Sequence, residues 1–213
     1  MQAPHRGPRV LRAADRAAVA WKNGGGVTRE IAAWPPGAGM EGFAWRVSLA
    51  DVASDGPFSA FPGVDRTLTL AEGAGMDLTV AGAPRLVDER YVPQRFPGDA
   101  PTDCRLLGGP VVNFNVMYRR GTAPADTAVV RGSLAVSCAP GETLLVVPLE
   151  GTAELAADGA ATALGRYDAA LARGPFIAVL DSPGRTAVVR LGDGGRQGRP
   201  GRRRNSVAGV RGL

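Results

Sequence analysis

Histidine is all but absent from this sequence: among 213 residues there is one, His5. Imidazole-rich metal centres need two or three histidines, and a Ser-His or Cys-His pair needs one within the fold; His5 precedes the predicted strands, so neither chemistry is expected. Cysteine is nearly as scarce. Cys104 and Cys138 have no CxxC spacing, so neither a metal knuckle nor a disulfide framework is expected, and both read as small buried apolar residues. No apolar run approaches a membrane span, and the stretch MQAPHRGPRVLRAADRAAVAW lacks an apolar core followed by a cleavage site. The expectation is a cytoplasmic protein without a membrane partner. Basic charge is missing from the body of the chain: the formal net charge is +5, and between Gly192 and Leu213 six Arg and one Asp account for all of it. Residues 1–191 are neutral, so no specific nucleic-acid partner is expected.

What the chain does have is alternation. In WRVSLADVASDGPFSAFPGVDR, residues 45–66, the apolar Trp45, Val47 and Leu49 alternate with Arg46, Ser48 and Ala50, which gives a strand one face for packing and one for binding. Asp55-Gly56-Pro57 is a turn signal, and the turn is expected to bring Arg66 back toward Arg46.

Short strands bounded by Gly, Pro, Asp or Asn fill the rest, with no convincing amphipathic helix. Residues 9–20 fit a strand at Val10-Leu11 and a turn at Asp15, with a short helix as the alternative. Strands are expected over 27–34, 43–49, 66–71, 76–80, 85–87, 104–107 and 111–119. In the second half they are expected over 161–164, 168–171, 176–180 and 186–191. The segment RTLTLAEGAGMDLT (66–79) matches ETLLVVPLEGTAELA (142–156), each with a Glu-Gly turn between two strands, at Glu72-Gly73 and Glu150-Gly151. The fold class is therefore all-β with two pseudo-repeated β units. Residues 1–191 form the body, with a first unit over about 9–120 and a second over about 121–191; the Gly/Arg-rich 192–213 reads as a disordered tail.

Four blocks carry a resemblance. WKNGGGVTREI (21–31), WRVSLA (45–50), DGPFS with FPGVDR (55–66) and GPVVNFNVM (109–117) resemble, in this order, the HutD/Ves family, over about residues 9–191. The resemblance implies a cupin-type double-stranded β-barrel in a bicupin arrangement. It also implies a protein that accompanies histidine-degradation genes and binds a small carboxylate intermediate, in a regulatory role. Asn113 departs from the family's usual Asp, which removes a carboxylate. Metal-dependent cupins present several His inside the barrel, and His5 lies outside it, so neither a metal nor another cofactor is expected.

What remains is anion recognition, for which the planar, permanently charged guanidinium is suited. Arg46 and Ser48 share one strand face, Arg66 another, and Asn115 and Met117 alternate on the 111–119 strand. Asn23, Arg29 and Glu30, from the first block, complete the candidate set. The expected ligand is a small carboxylate of the formylglutamate or urocanate type, and exposed strand edges make a homodimer the expected assembly. Alternatives stay open. Arg46 and Arg66 could simply pair with Asp51, Asp55, Asp65 or Glu30. A cofactor-independent isomerase or lyase would use Glu30 or Tyr118, and a structural or interaction bicupin would use none of these side chains.

Overall fold

Strand-forming residues in period-two patterns, punctuated by Gly and Pro, produce an all-β chain; the computed structural model describes residues 7–22 and 24–193. Its strands are β1 (Arg9–Leu11), β2 (Val19–Ala20), β3 (Gly26–Trp34), β4 (Trp45–Val52), β5 (Gly56–Phe58), β6 (Val64–Glu72), β7 (Met76–Val80), β8 (Ala83–Val87) and β9 (Gln94–Pro97). They continue as β10 (Thr102–Leu106), β11 (Val111–Arg119), β12 (Ala125–Cys138), β13 (Glu142–Glu150), β14 (Ala153–Ala157), β15 (Ala160–Leu164), β16 (Ala169–Arg173) and β17 (Phe176–Gly192). One 3-10 turn, Ala13–Asp15, follows β1, so the short-helix alternative for this region is not realised. Among the described residues no helix is long and apolar enough to cross a membrane.

The first unit is a six-stranded sheet, β2-β3-β4-β11-β6-β9, facing a four-stranded one, β5-β10-β7-β8. Between them Leu68 and Leu70 of β6 pack on Met76, Leu78 and Val80 of β7 and on Cys104 of β10. The second unit orders its strands β1-β16-β13-β17-β14-β15, with β12 also on β17. The chain's first strand thus belongs to the second unit's sheet, with Val10 opposite Ala170.

The units meet through the outer face of the first sheet. Trp45, Val47, Leu49, Phe114 and Val116 are buried against Leu145, Val147 and Leu149 of β13 and Val189 and Leu191 of β17. On β13 the intervening Leu144 and Val146 point the other way, into the second unit's own core. A strand buried on both faces reads as a continuous apolar run, as LLVV does here. Each such side chain contributes about 2 kcal/mol of burial, so β13 joins the two cores.

Both Glu-Gly turns occur where expected, with Gly73 at φ 96° and Gly151 at φ 68°, a region that favours glycine. Three features differ from the sequence reading. β4 and β6 are not paired: β11 lies between them, and Gly56–Phe58 of the intervening loop instead pairs with β10. β2, β9 and β12 were not expected, and the stretches 176–180 and 186–191 are one strand of 17 residues. The register of β12 and β17 shifts between Val130 and Gly132, a bulge that lets β17 run on through its Pro183-Gly184 turn signal.

Candidate functional site

Register decides which side chains share a face. Met117 of β11 is opposite Arg46 of β4 on one side and Arg66 of β6 on the other; Asn115 is likewise opposite Ser48 and Leu68. Glu30 of β3 is opposite Ser48. Residues directly opposite in an antiparallel sheet point to the same side, so Glu30, Arg46, Ser48, Arg66, Asn115 and Met117 all face the interior of the first barrel. Leu68 and Leu70, two and four positions beyond Arg66, carry that face into the core.

The two arginines differ in their partners. Arg46 donates from Nε to Glu30 Oε2 at 2.7 Å. Arg66 is 8% exposed, with an Nε that has no hydrogen-bond partner and one long contact, Nη2 to Asn115 Oδ1 at 3.4 Å. Its guanidinium lies against two aromatic rings, 5.1 Å from the centroid of Phe58 and 5.4 Å from that of Phe96. Burial pushes its pKa down to about 10, with no carboxylate opposing the shift. At neutral pH it remains a cation.

The acids that could have paired with Arg66 are committed elsewhere. Asp65 pairs with Arg120 at 2.7 Å, Asp51 pairs with Arg29, Glu30 holds Arg46, and Asp55 Oδ1 accepts the Leu106 amide at 2.7 Å. Among the described residues Arg66 is therefore a buried cation without a counter-charge. An uncompensated buried charge is costly, and an anionic ligand would offset that cost.

Not every candidate residue is brought here. Arg29 is opposite Leu49, so strand alternation turns it to the other face, where it pairs with Asp51. Tyr118 is opposite Trp45 and Asp65, also on the far face, and cannot approach the arginines; burial raises its pKa. Asn23 lies outside the described residues. Asn113 is 1% exposed on the interior face, where Nδ2 contacts Met76 Sδ at 3.7 Å and Oδ1 has no partner. Phe58 and Phe96 were missed as site residues. Phe58 was visible in the block around the turn, but Phe96 was legible only through its register opposite Arg66.

The HutD family model matches residues 13–189. The chain belongs to the HutD family. This HutD-family chain is 42% identical over 109 residues to an uncharacterized 21.2 kDa protein in the hutC 3' region of Pseudomonas putida; the match covers 51% of the chain and 57% of that relative's length. It is 37% identical over 128 residues to Protein Ves of Cronobacter sakazakii, covering 60% of the chain and 69% of Ves. Among solved structures it is similar to HutD from Pseudomonas fluorescens SBW25 in a formate condition, with TM-score 0.77, 34% identity, and coverage of 86% of this chain and 97% of that one. Similarity to a cupin 2 conserved barrel domain protein from Leptotrichia buccalis, at TM-score 0.53 and 11% identity over 82% and 91% of the two chains, identifies the HutD fold as cupin-type. Among the described residues of this HutD chain, no group of three or more His, Cys, Asp or Glu side chains is placed to hold a metal ion.

Proposed function

We propose that this HutD-family cupin binds a small carboxylate metabolite inside its first barrel, with the Arg66 guanidinium as the anchor, and that it acts in regulation of histidine or amino-acid utilisation rather than in catalysis. The observation that carries the reading is the buried cation without a counter-charge, held between Phe58 and Phe96 with Asn115 beside it. A carboxylate accepts the two parallel N–H bonds that a guanidinium offers, and the low-dielectric surroundings strengthen that pairing. The utilisation role is supported by the P. putida relative, which is described by its place in the hutC 3' region.

Calorimetric titration with formate, formylglutamate and urocanate tests the reading, with the wild type compared with Arg66→Met. Methionine keeps the length of the stem between the two rings. The expected result is saturable binding of at least one acid by the wild type and a loss of about tenfold or more in the variant. Absence of binding by all three acids, or equal affinities in the two proteins, overturns the proposal.

A further inference from the structure

The barrel face carries two cations, of which one is already neutralised. Arg46 and Arg66 flank Met117 on strands two apart, so their backbones are separated by about 10 Å, twice the strand spacing. Side chains of that length can converge on a small molecule held between them. Arg66 is free for a carboxylate, but Arg46 is held by Glu30 at 2.7 Å.

The local structure of β3 explains how Glu30 reaches it. The register of β3 against β4 shifts between Glu30 and Ala32, which leaves Ala33 directly opposite Arg46 and Glu30 opposite Ser48. An alanine has no reach, so Glu30, the diagonal neighbour, closes over the guanidinium. The two partners differ in access to water: the Arg46 side chain is 12% exposed and that of Glu30 41%. The Glu30 carboxylate therefore already borders water. If it leaves Arg46 it enters water, whereas Arg46 would be left as a second mostly buried cation.

We infer that Glu30 is a displaceable counter-ion that sets the charge class of the ligand. While Glu30 holds Arg46, this barrel face offers one unpaired cation and one carboxylate on the ligand satisfies it. A second carboxylate gains from Arg46 only by expelling Glu30, so the exchange of one carboxylate for another leaves little net preference for a dicarboxylate. The inference rests on the Arg66 site proposed above.

Glutarate and its monoamide, glutaramate, have the same length and differ by one charge, so the ratio of their dissociation constants isolates the Arg46 end. For the wild type the two constants are expected to agree within about threefold. In Glu30→Gln, which keeps the shape and loses the charge, glutarate is expected to bind about tenfold tighter while glutaramate changes by less than about threefold. The gain is expected to vanish in the double variant Glu30→Gln with Arg46→Gln. A wild type that already prefers glutarate by more than about tenfold overturns the inference. So does a Glu30→Gln variant that changes both ligands equally or neither, or a gain that survives the loss of Arg46. Arg66→Met separates this failure from that of the anchor: if it abolishes binding of both acids while the ratio ignores Glu30, only the charge-class inference falls. Unchanged binding by Arg66→Met, or no binding of either acid by any form, overturns both.

Discussion

A Cβ added to Gly98 would lie 3.2 Å from Cγ and 3.4 Å from Cδ of Arg66, and 2.8 Å from the carbonyl oxygen of Val64. The stem of the buried arginine occupies the space that the missing side chain leaves. The Gly98 amide donates to the same Val64 carbonyl at 2.7 Å, so the close approach belongs to the edge of the sheet itself. Gly98→Ala is expected to push the backbone off Val64 and the arginine out of line. The expected cost is about 1–3 kcal/mol in urea unfolding, as for other overpacking substitutions. Carboxylate affinity should fall with it, and a variant with wild-type stability and affinity would contradict the account.

Phe58 and Phe96 contribute to the site through Arg66. Cation–ring contacts are worth about 0.5–2 kcal/mol depending on desolvation. Phe96→Leu, which keeps an apolar side chain at this buried position, is expected to weaken formate or glutaramate binding by about three- to tenfold. Lys or Arg residues on the outer surface give no such effect, so Arg105→Gln serves as the control: its partner Asp77 lies 3.0 Å away at the surface.

Asp168 secures the first strand to the second unit and predicts an acid-sensitive contact. It accepts from Arg12 Nη1 at 2.7 Å, the Ala13 amide at 2.8 Å and the Gly165 amide at 3.0 Å. Burial alone would raise its pKa, but the bonds from Ala13, Arg12 and Gly165 outweigh it and hold the carboxyl below its ordinary value. With the folded value depressed, the stabilisation is complete above the unfolded pKa of about 4 and is lost as pH falls through the folded one. Asp168→Asn is expected to cost about 2 kcal/mol at pH 7. The difference from wild type should shrink as unfolding is repeated at progressively lower pH; a constant difference would show that the charge is not responsible.

Tyr167 joins the two units across a polar contact. Its hydroxyl donates to Glu72 Oε1 at 2.5 Å, and Arg166 bonds both, at 3.0 Å to the hydroxyl and 2.7 Å to the carboxylate. Burial, followed by the bond to Glu72, raises the phenol pKa, so the hydroxyl remains a donor at neutral pH. Tyr167→Phe is expected to lower stability by about 1 kcal/mol. In a double-mutant cycle with Glu72→Gln the coupling should exceed about 0.5 kcal/mol, whereas simple additivity would mean the contact contributes nothing.

Much of this was legible in the chain. The alternation of Trp45, Val47 and Leu49 with Arg46 and Ser48 places the first set in the interface between units and the second in the barrel. The turns at Gly73 and Gly151 follow from the Glu-Gly pairs. The strand Ala125–Cys138 was harder to see because its residues are small and half-exposed, with Gly132 at φ 95° interrupting the pattern. The Asp-Ser-Pro-Gly signal at 181–184 was a true local irregularity, but pairing on both sides carries β17 through it. There Gly184 comes so close to the Glu150 carbonyl that no Cβ fits.

The amino-acid sequence alone determined which side chains could share a strand face, because a period of two is a property of the extended backbone. It also determined that the chain has a single imidazole, that of His5, too few for an imidazole-rich metal centre. Only the tertiary structure decided that β11 lies between the two arginine strands, because pairing between positions as distant as Arg66 and Asn115 depends on which apolar faces bury together. It also decided the allocation of acids. Asp51, Asp55, Asp65 and Glu30 are all near Arg46 or Arg66 in sequence or by strand pairing, yet each is turned to another partner or to Arg46, and the buried Arg66 is left without one.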